Sequence, residues 1–364
     1  MVQVREVTLE EALQHLPPIA ELRPQDVQGR GRDALLICTL GFEDRCLSVL
    51  EMLAASGYSA DRVIVLEYDT NRDDNERNRP ALEACLEKIS SRENIRVAVQ
   101  SPDYPEQLDR VLRDSIGRSG DQTTPNVTFD ISACCSRGIL EGLHLLLGCD
   151  IALRVTYSEA AVYHPTEEEF RASPDDWLTE EGAGLAHGVV SIWESSVHPG
   201  YSVDHLPNIL VAFPTFKPER TQKLLSSSEA QIAQTVWIVG VPYLDENRWR
   251  VDAMRRINRL GTEDECYEVS TFEYLDCLRR LEQLYQEYGR TRHLLVSPLG
   301  SKLQDVAVAL FLQLRRDVSV WFSVPERFNP RLYTEGTRAL WRIDLGDVQT
   351  AISGLRSYQT LQVV

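Results

Sequence analysis

The sequence predicts an α/β protein built from two tandem units, each a doubly wound, mainly parallel sheet, arising from an internal duplication. Three observations carry that expectation. Landmarks recur in one order in the two halves of the chain. Short, apolar, β-branched segments alternate with segments of helical periodicity, the pattern of a buried parallel sheet. The chain has 364 residues, and single cores stop growing at roughly 250–300 residues, so two cores are expected.

Residues 1–30 lie outside the repeat and are expected to form a short helix that caps the first sheet. The first unit, 31–198, opens on the strand candidate 34–40, which runs into Gly41, Phe42, Glu43, Asp44 and Arg45 and then an amphipathic helix. The second unit, 199–364, opens on 208–213, which runs into Thr215, Phe216, Lys217, Pro218, Glu219 and Arg220. Aromatic, acid and arginine recur in order, with one residue inserted. Residues 63–66 and 237–240 are each a strand followed by a polar turn and a charged helix. Residues 127–132 and 294–297 each end in a polar turn that opens an apolar helix. Residues 155–165 align without a gap to 320–330. Each copy closes on a glycine followed by a tryptophan, Gly188 with Trp193 and Gly336 with Trp341.

The intervening segments, such as 81–89 and 272–285, carry apolar residues at helical spacing. Each half thus reads β-α-β-α-β-α-β-α-β with a final antiparallel strand. Right-handed crossovers then place helices on both faces, a Rossmann-like arrangement. The boundary is placed at 195–201, which contains proline and glycine.

Composition narrows the class. Hydrophobic content of 43% and charged content of 26% are those of a water-soluble globular chain. No apolar run reaches the roughly 18 residues that span a bilayer. The N-terminal residues lack the basic start and apolar stretch of a secretory signal, so a cytoplasmic location is expected. Eight cysteines, at 38, 46, 85, 134, 135, 149, 266 and 277, show no CxxC pair. Reduced, mostly buried thiols fit them better than a disulfide framework or a zinc site. Redox activity of the vicinal pair Cys134–Cys135 is the minor alternative. A net charge of −17 argues against a long nucleic-acid duplex as partner. A small phosphorylated ligand needs only a few local donors and stays open.

In open parallel sheets, ligands collect beyond the carboxyl ends of the strands, where the strand order reverses. That selects the loops after the first and fourth strands of each copy. After the first strand, Glu43 and Asp44 can complement the helix dipole, and Thr215 is a candidate N-cap with Pro218 in the first turn. Capping does not explain Arg45 and Arg220, which either pair with the acids or reach an anion. After the fourth strand, Ser297, Gly300, Ser301 and Lys302 form a turn suited to an anion, because backbone N–H groups there point outward. The first copy has Asp130, Ser132, Ser136 and Arg137 in that place. The structural alternative is that Ser136 and Ser301 only cap helices. With Gly41 at the first turn, the candidate ligand-binding set is Gly41, Glu43, Arg45, Asp130, Ser132, Ser136, Arg137, Thr215, Arg220, Ser297, Gly300, Ser301 and Lys302.

Other signals are weaker. There is no GxxxxGK[ST] loop, and the glycine pairs Gly29/Gly31 and Gly182/Gly184 read as loop glycines. The seven histidines are scattered without metal-ligand spacing, and His144 reads as a core residue. Tyr157 and Phe322, beside Ser158 and Ser323, either stack on a base or, more in keeping with their strands, pack the core. No catalytic residue, metal or cofactor is assigned.

A strand ending in Asp130-Ile131-Ser132 or Ser297-Pro298-Leu299-Gly300, followed by serine and a basic residue opening an apolar helix, resembles the ligand-binding turn of CRISPR-associated Rossmann-fold (CARF) sensor domains. The Gly-Phe-Glu-x-Arg and Asp-Ile-Ser-x-x-x-Arg segments also resemble uncharacterised proteins of bacterial defence loci. The Thr-Gly-Gly-Thr-Lys core usual in the sensor family is replaced here by Ala-Cys-Cys-Ser-Arg and Leu-Gly-Ser-Lys. The resemblance implies a sensor of a nucleotide-type ligand, such as a cyclic oligonucleotide, that signals in antiviral defence through an effector protein. Two alternatives stay open: a ring-nuclease-like or nucleotide-hydrolysing enzyme using the same cleft with Arg45, Arg137, Arg220 and Lys302, and an adaptor with degenerate sites.

Overall fold

The computed structural model describes residues 7–116, 124–177, 186–200, 206–227, 230–330 and 333–362. The chain divides into two compact units, Met1–Ala161 with Glu335–Val364, and Val162–Thr334. In unit 1, α1 (Leu9–Leu13), β1 (Ala20–Glu21) and α2 (Pro24–Gln28) precede the repeat. There follow β2 (Asp33–Thr39), α3 (Arg45–Ala55), β3 (Ala60–Glu67), α4 (Arg72–Glu76), α5 (Arg79–Ile89), β4 (Ile95–Ala98), α6 (Tyr104–Ile116), β5 (Asn126–Asp130), α7 (Ser136–Leu147) and β6 (Ala152–Tyr163). Unit 2 contains α8 (Glu167–Ala172), α9 (Pro174–Trp177), β7 (Ala186–Glu194), β8 (Asn208–Ala212), α10 (Pro218–Leu225) and β9 (Ile232–Val241). It continues with α11 (Trp249–Ile257), β10 (Glu265–Ser270), α12 (Tyr274–Tyr288), β11 (His293–Ser297), α13 (Lys302–Leu314) and β12 (Ser319–Phe328). The chain then returns to unit 1 as β13 (Thr334–Asp347), α14 (Val348–Ala351) and α15 (Ser353–Gln362).

The strand orders are β1-β13-β6-β5-β2-β3-β4 and β10-β9-β8-β11-β12-β7. The five repeat strands of each sheet pair in parallel. Counted within each copy their order is 3-2-1-4-5, so the winding reverses between β2 and β5 in one sheet and between β8 and β11 in the other. This is the α/β duplication expected from the sequence. β2 is buried along its whole length, as a strand covered on both faces must be. In unit 1, α3 packs on α5 and α6 packs on α7, the pairing that right-handed crossovers on opposite faces produce. Helix α3 forms because Cys46, Val49, Leu50 and Leu53 fall on one stripe, all fully buried. Each such leucine contributes roughly 1.5–3 kcal/mol by leaving water.

The closing strands depart from expectation: they are exchanged. β7, with Gly188 and Trp193, pairs antiparallel with β12 of the second copy, Trp193 opposite Phe322. β13, with Gly336 and Trp341, lies in the first sheet between β1 and β6. The compact units therefore differ from the contiguous halves 31–198 and 199–364. The physical reason is that both copies offer equivalent edges beyond the fifth strand. A local pattern specifies a closing strand without specifying which of two similar edges it joins. The N-terminal segment also does more than cap. β1 extends the first sheet, with Ala20 opposite Arg342 of β13.

Candidate functional site

The loops after the first and fourth strands of unit 1 meet over the switch in strand order. A Cβ at Gly41 would lie 2.9 Å from Cβ of Ala133, so only glycine lets the two loops approach this closely. Asp130 ends β5 and is buried. Its Oδ1 accepts from Ser132 Oγ at 2.5 Å, from Ser132 N at 3.2 Å and from Thr156 Oγ1 at 3.4 Å. Ser132 Oγ in turn accepts from the Ser158 amide at 2.8 Å, tying the fourth strand to the fifth. Burial pushes the Asp130 carboxyl up to about 6, against the pull of these hydrogen bonds and of the Arg45 charge.

Arg45 and Glu43 form a buried two-point ion pair, Nε to Oε1 and Nη2 to Oε2, both 3.1 Å. Nη1 of Arg45 donates to the Ser158 carbonyl at 3.2 Å. Of the two roles open to Arg45, pairing with its acid is the one in place. Asp44 is the exposed N-cap of α3 without a side-chain capping bond.

Arg137 lies in the first turn of α7, but its guanidinium is engaged within the fold. Nε donates to Glu141 at 3.0 Å, and Nη1 donates to the carbonyls of Val99 and Ser101 at 2.9 and 3.0 Å. It thereby straps the segment after β4 to α7. Ser136 is the first helical residue, and the N-cap is Cys135, which makes no side-chain capping bond. No acid lies in the first turn of α7. Cys135 is exposed, and its amide donates to Tyr68 Oη at 2.7 Å.

Unit 2 repeats the frame with different fittings. Arg220 donates from Nη2 to the Ser323 carbonyl at 2.7 Å and from Nε to Ser323 Oγ at 3.2 Å. Lys217, in the place of Glu43, has its ammonium over the rings of Tyr333 and Phe328, at 4.1 and 4.6 Å, a cation–π arrangement. Thr215 is not the N-cap of α10. Its Oγ1 accepts from the Lys217 amide at 3.0 Å, and Lys217 holds the cap position, because a short local bond outcompetes a cap two residues further on.

The fourth-strand turn of unit 2 is closed. Ser301 is the N-cap of α13 in a capping box with Gln304: Ser301 N donates to Gln304 Oε1 at 2.9 Å, and Gln304 N donates to Ser301 Oγ at 3.2 Å. Ser301 Oγ also donates to the Thr271 carbonyl at 2.6 Å. Asp305 adds an acid to the first turn. A Cβ at Gly300 would collide with the Gln304 side chain and lie 2.8 Å from the Phe213 ring. Lys302 is the first, half-buried residue of α13. Ser297, the counterpart of Asp130, is fully buried with an Oγ that has no hydrogen-bond partner.

Sequence reasoning missed what β13 brings to unit 1. Thr337 Oγ1 lies 3.1 Å from Ser158 Oγ and 2.6 Å from Ser48 Oγ. Buried Glu159 accepts from Trp341 Nε1 at 2.9 Å and pairs with Arg338 at 3.2 Å. Only the exchange of strands makes these residues neighbours. Tyr157 and Phe322 are buried in their strands, as core packing requires, while His144 is half-buried in the last turn of α7. Gly182 and Gly184 lie outside the described residues. All eight cysteines are free, five of them buried. No group of three or more potential metal ligands is found among the described residues. No helix among them is long and apolar enough to cross a membrane.

Fold and geometry together define a Rossmann-like α/β protein of two units, with one open and one self-capped turn at the ends of the two fourth strands. No protein-family model matches the chain, and no curated protein is significantly similar to it.

Proposed function

We propose that unit 1 binds a nucleotide-type ligand at the carboxyl edge of its sheet, with an anionic group of the ligand at the amino end of α7. On this reading the protein is a sensor in bacterial antiviral defence that acts through a protein partner. A cyclic oligonucleotide is the ligand class its sequence resemblance favours. The observation that carries the reading is the contrast between the two equivalent helix starts. The first turn of α13 is answered from within, by the Ser301–Gln304 box and Asp305. The first turn of α7 has neither side-chain cap nor acid, which leaves its positive end to an outside anion. Unit 2, with Ser297 for Asp130 and an aromatic-capped Lys217 for Glu43, fits a scaffold copy.

An enzymatic reading draws on one feature, the Asp130 carboxyl at about 6, which lies in the range of a general base at neutral pH. The arginines weigh against cationic catalysis, since Arg45, Arg137 and Arg220 all hold protein groups.

Thermal unfolding across cyclic and linear oligonucleotides, mononucleotides, NAD and ADP-ribose tests the reading. A ligand at 100 times its Kd adds about 2.7 kcal/mol and shifts Tm by several degrees. The companion variant is Cys135→Asp, which supplies the missing cap and a negative charge together. It should raise the stability of the protein alone by about 1 kcal/mol and abolish the ligand shift. A ligand shift that survives Cys135→Asp would place the anion elsewhere.

A further inference from the structure

The glycine and tryptophan that mark the two closing strands are alike, but the residues around them are not. Arg338 stands three places before Trp341 and Asp344 three places after it, where the same offsets from Trp193 hold Val190 and Ser196. The two receiving edges differ in the matching sense. The fifth strand of the first sheet carries Arg154, opposite Thr128, and five residues on Glu159. The fifth strand of the second sheet carries Ser319, opposite Leu295, and five residues on Val324. Two charged places on one edge meet two charged places on β13, and two neutral places on the other edge meet two neutral places on β7. In the first sheet the charges pair one to one. Arg338 Nη2 lies 3.2 Å from Glu159 Oε2, which also accepts from Trp341 Nε1 at 2.9 Å. Asp344 Oδ1 accepts from Arg154 Nε at 2.6 Å, and Arg30 Nη1 lies 3.5 Å from the same oxygen. Glu159 and Arg154 are both buried. In the second sheet Ser191 of β7 faces Val324, and Ser319 Oγ donates to the carbonyl of Pro199, just beyond β7, at 2.6 Å.

We infer that Glu159 with Arg338 and Arg154 with Asp344 form a charge code that assigns β13 to the first sheet and excludes β7 from it. The edge beyond β6 is a docking surface, and the partner it fits is a strand with arginine three places before its tryptophan and aspartate three places after. A strand with the sequence of β7 on that edge would take the arginine away from Glu159 and the aspartate away from Arg154. Loss of the opposite charge is costly at a buried ionised group. A strand with the sequence of β13 on the edge of β12 would set Arg338 at Val324 and Asp344 at Ser319. The backbone ladder and the shared glycine and tryptophan favour both edges alike, so they supply affinity without choice. Choice comes from the penalty on the wrong pairing.

The test uses the full chain with a reporter pair, Ser191→Cys and Val324→Cys, at positions that face each other across β7 and β12. The chain is refolded from urea and oxidised briefly, and the cross-link between 191 and 324 is quantified by peptide mass mapping beside a urea melt. With the code intact the cross-link should be nearly complete, and its absence would contradict the pairing on which the inference stands. Glu159→Gln with Asp344→Asn removes one charge from each pair and keeps the shape and an acceptor for Trp341 and Arg154. That neutralised chain should fold, yet β7 should divide between the two edges and the cross-link should fall by about half. Moving the code, with Val190→Arg, Ser196→Asp, Arg338→Val and Asp344→Ser, should send β7 to the first sheet. The cross-link should then drop roughly tenfold, a preference of the size that one buried charge pair sets, with a cooperative melt retained. A cross-link that stays complete in the neutralised chain overturns the inference, because the connections then choose the edge. A recoded chain that folds and keeps the cross-link overturns it as well, and if the recoded chain does not fold, the neutralised chain decides alone.

Discussion

Nη2 of Arg220 donates to the carbonyl oxygen of Ser323 at 2.7 Å, and the duplicate of that contact joins Arg45 to Ser158 at 3.2 Å. The repeated arginine thus ties the first loop of each unit to its fifth strand. The two contacts differ in their surroundings. Arg45 also neutralises buried Glu43, whereas Arg220 holds the serine hydroxyl as well.

Arg45→Ala should therefore cost more than Arg220→Ala. Removing Arg45 takes the two-point guanidinium contact away from a buried carboxylate, a loss of roughly 3–5 kcal/mol. Removing Arg220 forfeits charge-assisted hydrogen bonds at a half-buried site, roughly 1.5–3 kcal/mol. Adding Glu43→Ala to Arg45→Ala should recover part of the first loss. Urea midpoints of the three variants and the parent measure this, and equal losses at both arginines would mean that Glu43 contributes nothing through the pair.

Asp130 predicts a specific pH dependence of stability. Its carboxyl is raised in the fold from an ordinary 3.8 to about 6, so between those values the folded chain holds a proton that the unfolded chain has released. Stability then falls as pH rises through that window, by up to about 1.4 kcal/mol per unit and about 3 kcal/mol in all. Asp130→Asn has no proton to release. Its stability relative to the parent should climb between pH 4 and 6 and level off above 7. A difference that stays constant across pH 4–7 would show that Asp130 titrates as an ordinary carboxylate.

Cys135 is the only cysteine exposed among the eight, and it occupies the amino end of α7. Iodoacetamide should modify it first, with the five buried thiols protected until unfolding. A ligand seated at the α7 start should slow that modification. Peptide mass mapping after brief labelling reads both effects. Labelling of Cys149 or Cys266 ahead of Cys135 would contradict the exposure on which the ligand site depends.

The repeat made the architecture legible because parallel strands and their crossover helices are local patterns with characteristic periods. The residues 63–66 and 237–240 lie within β3 and β9, and 81–89 lies within α5. Ser301 caps α13 in a box with Gln304, the alternative to the anion-binding turn expected there, and the serine with a glutamine three residues on is the local signal that could have shown it. Side-chain partnership was not legible. Arg137 carries the signature of a phosphate contact, yet the carbonyls of Val99 and Ser101 that take its donors lie far away in the sequence. The strand exchange was hidden for a related reason. Gly188 with Trp193 and Gly336 with Trp341 are the same signal, and a signal shared by both copies cannot state which sheet each strand enters.

That exchange makes the last prediction. Unit 2 is the contiguous stretch Val162–Thr334, whereas unit 1 needs β13 from the end of the chain. Without β13, buried Glu159 loses Trp341 and Arg338, and Ser158 Oγ loses Thr337. A chain ending at residue 334 should keep a cooperative transition from unit 2 and lose or greatly weaken that of unit 1. A fragment of residues 162–334 should fold alone, while 1–198 should not. Co-expressed, 1–198 and 199–364 should associate, because each carries the closing strand of the other's sheet. Circular dichroism melts of the fragments and co-purification of the two halves decide the matter. A stable, monomeric 1–198 with its own cooperative transition would show that β7 can close the first sheet, and that the exchange is one of two accessible pairings.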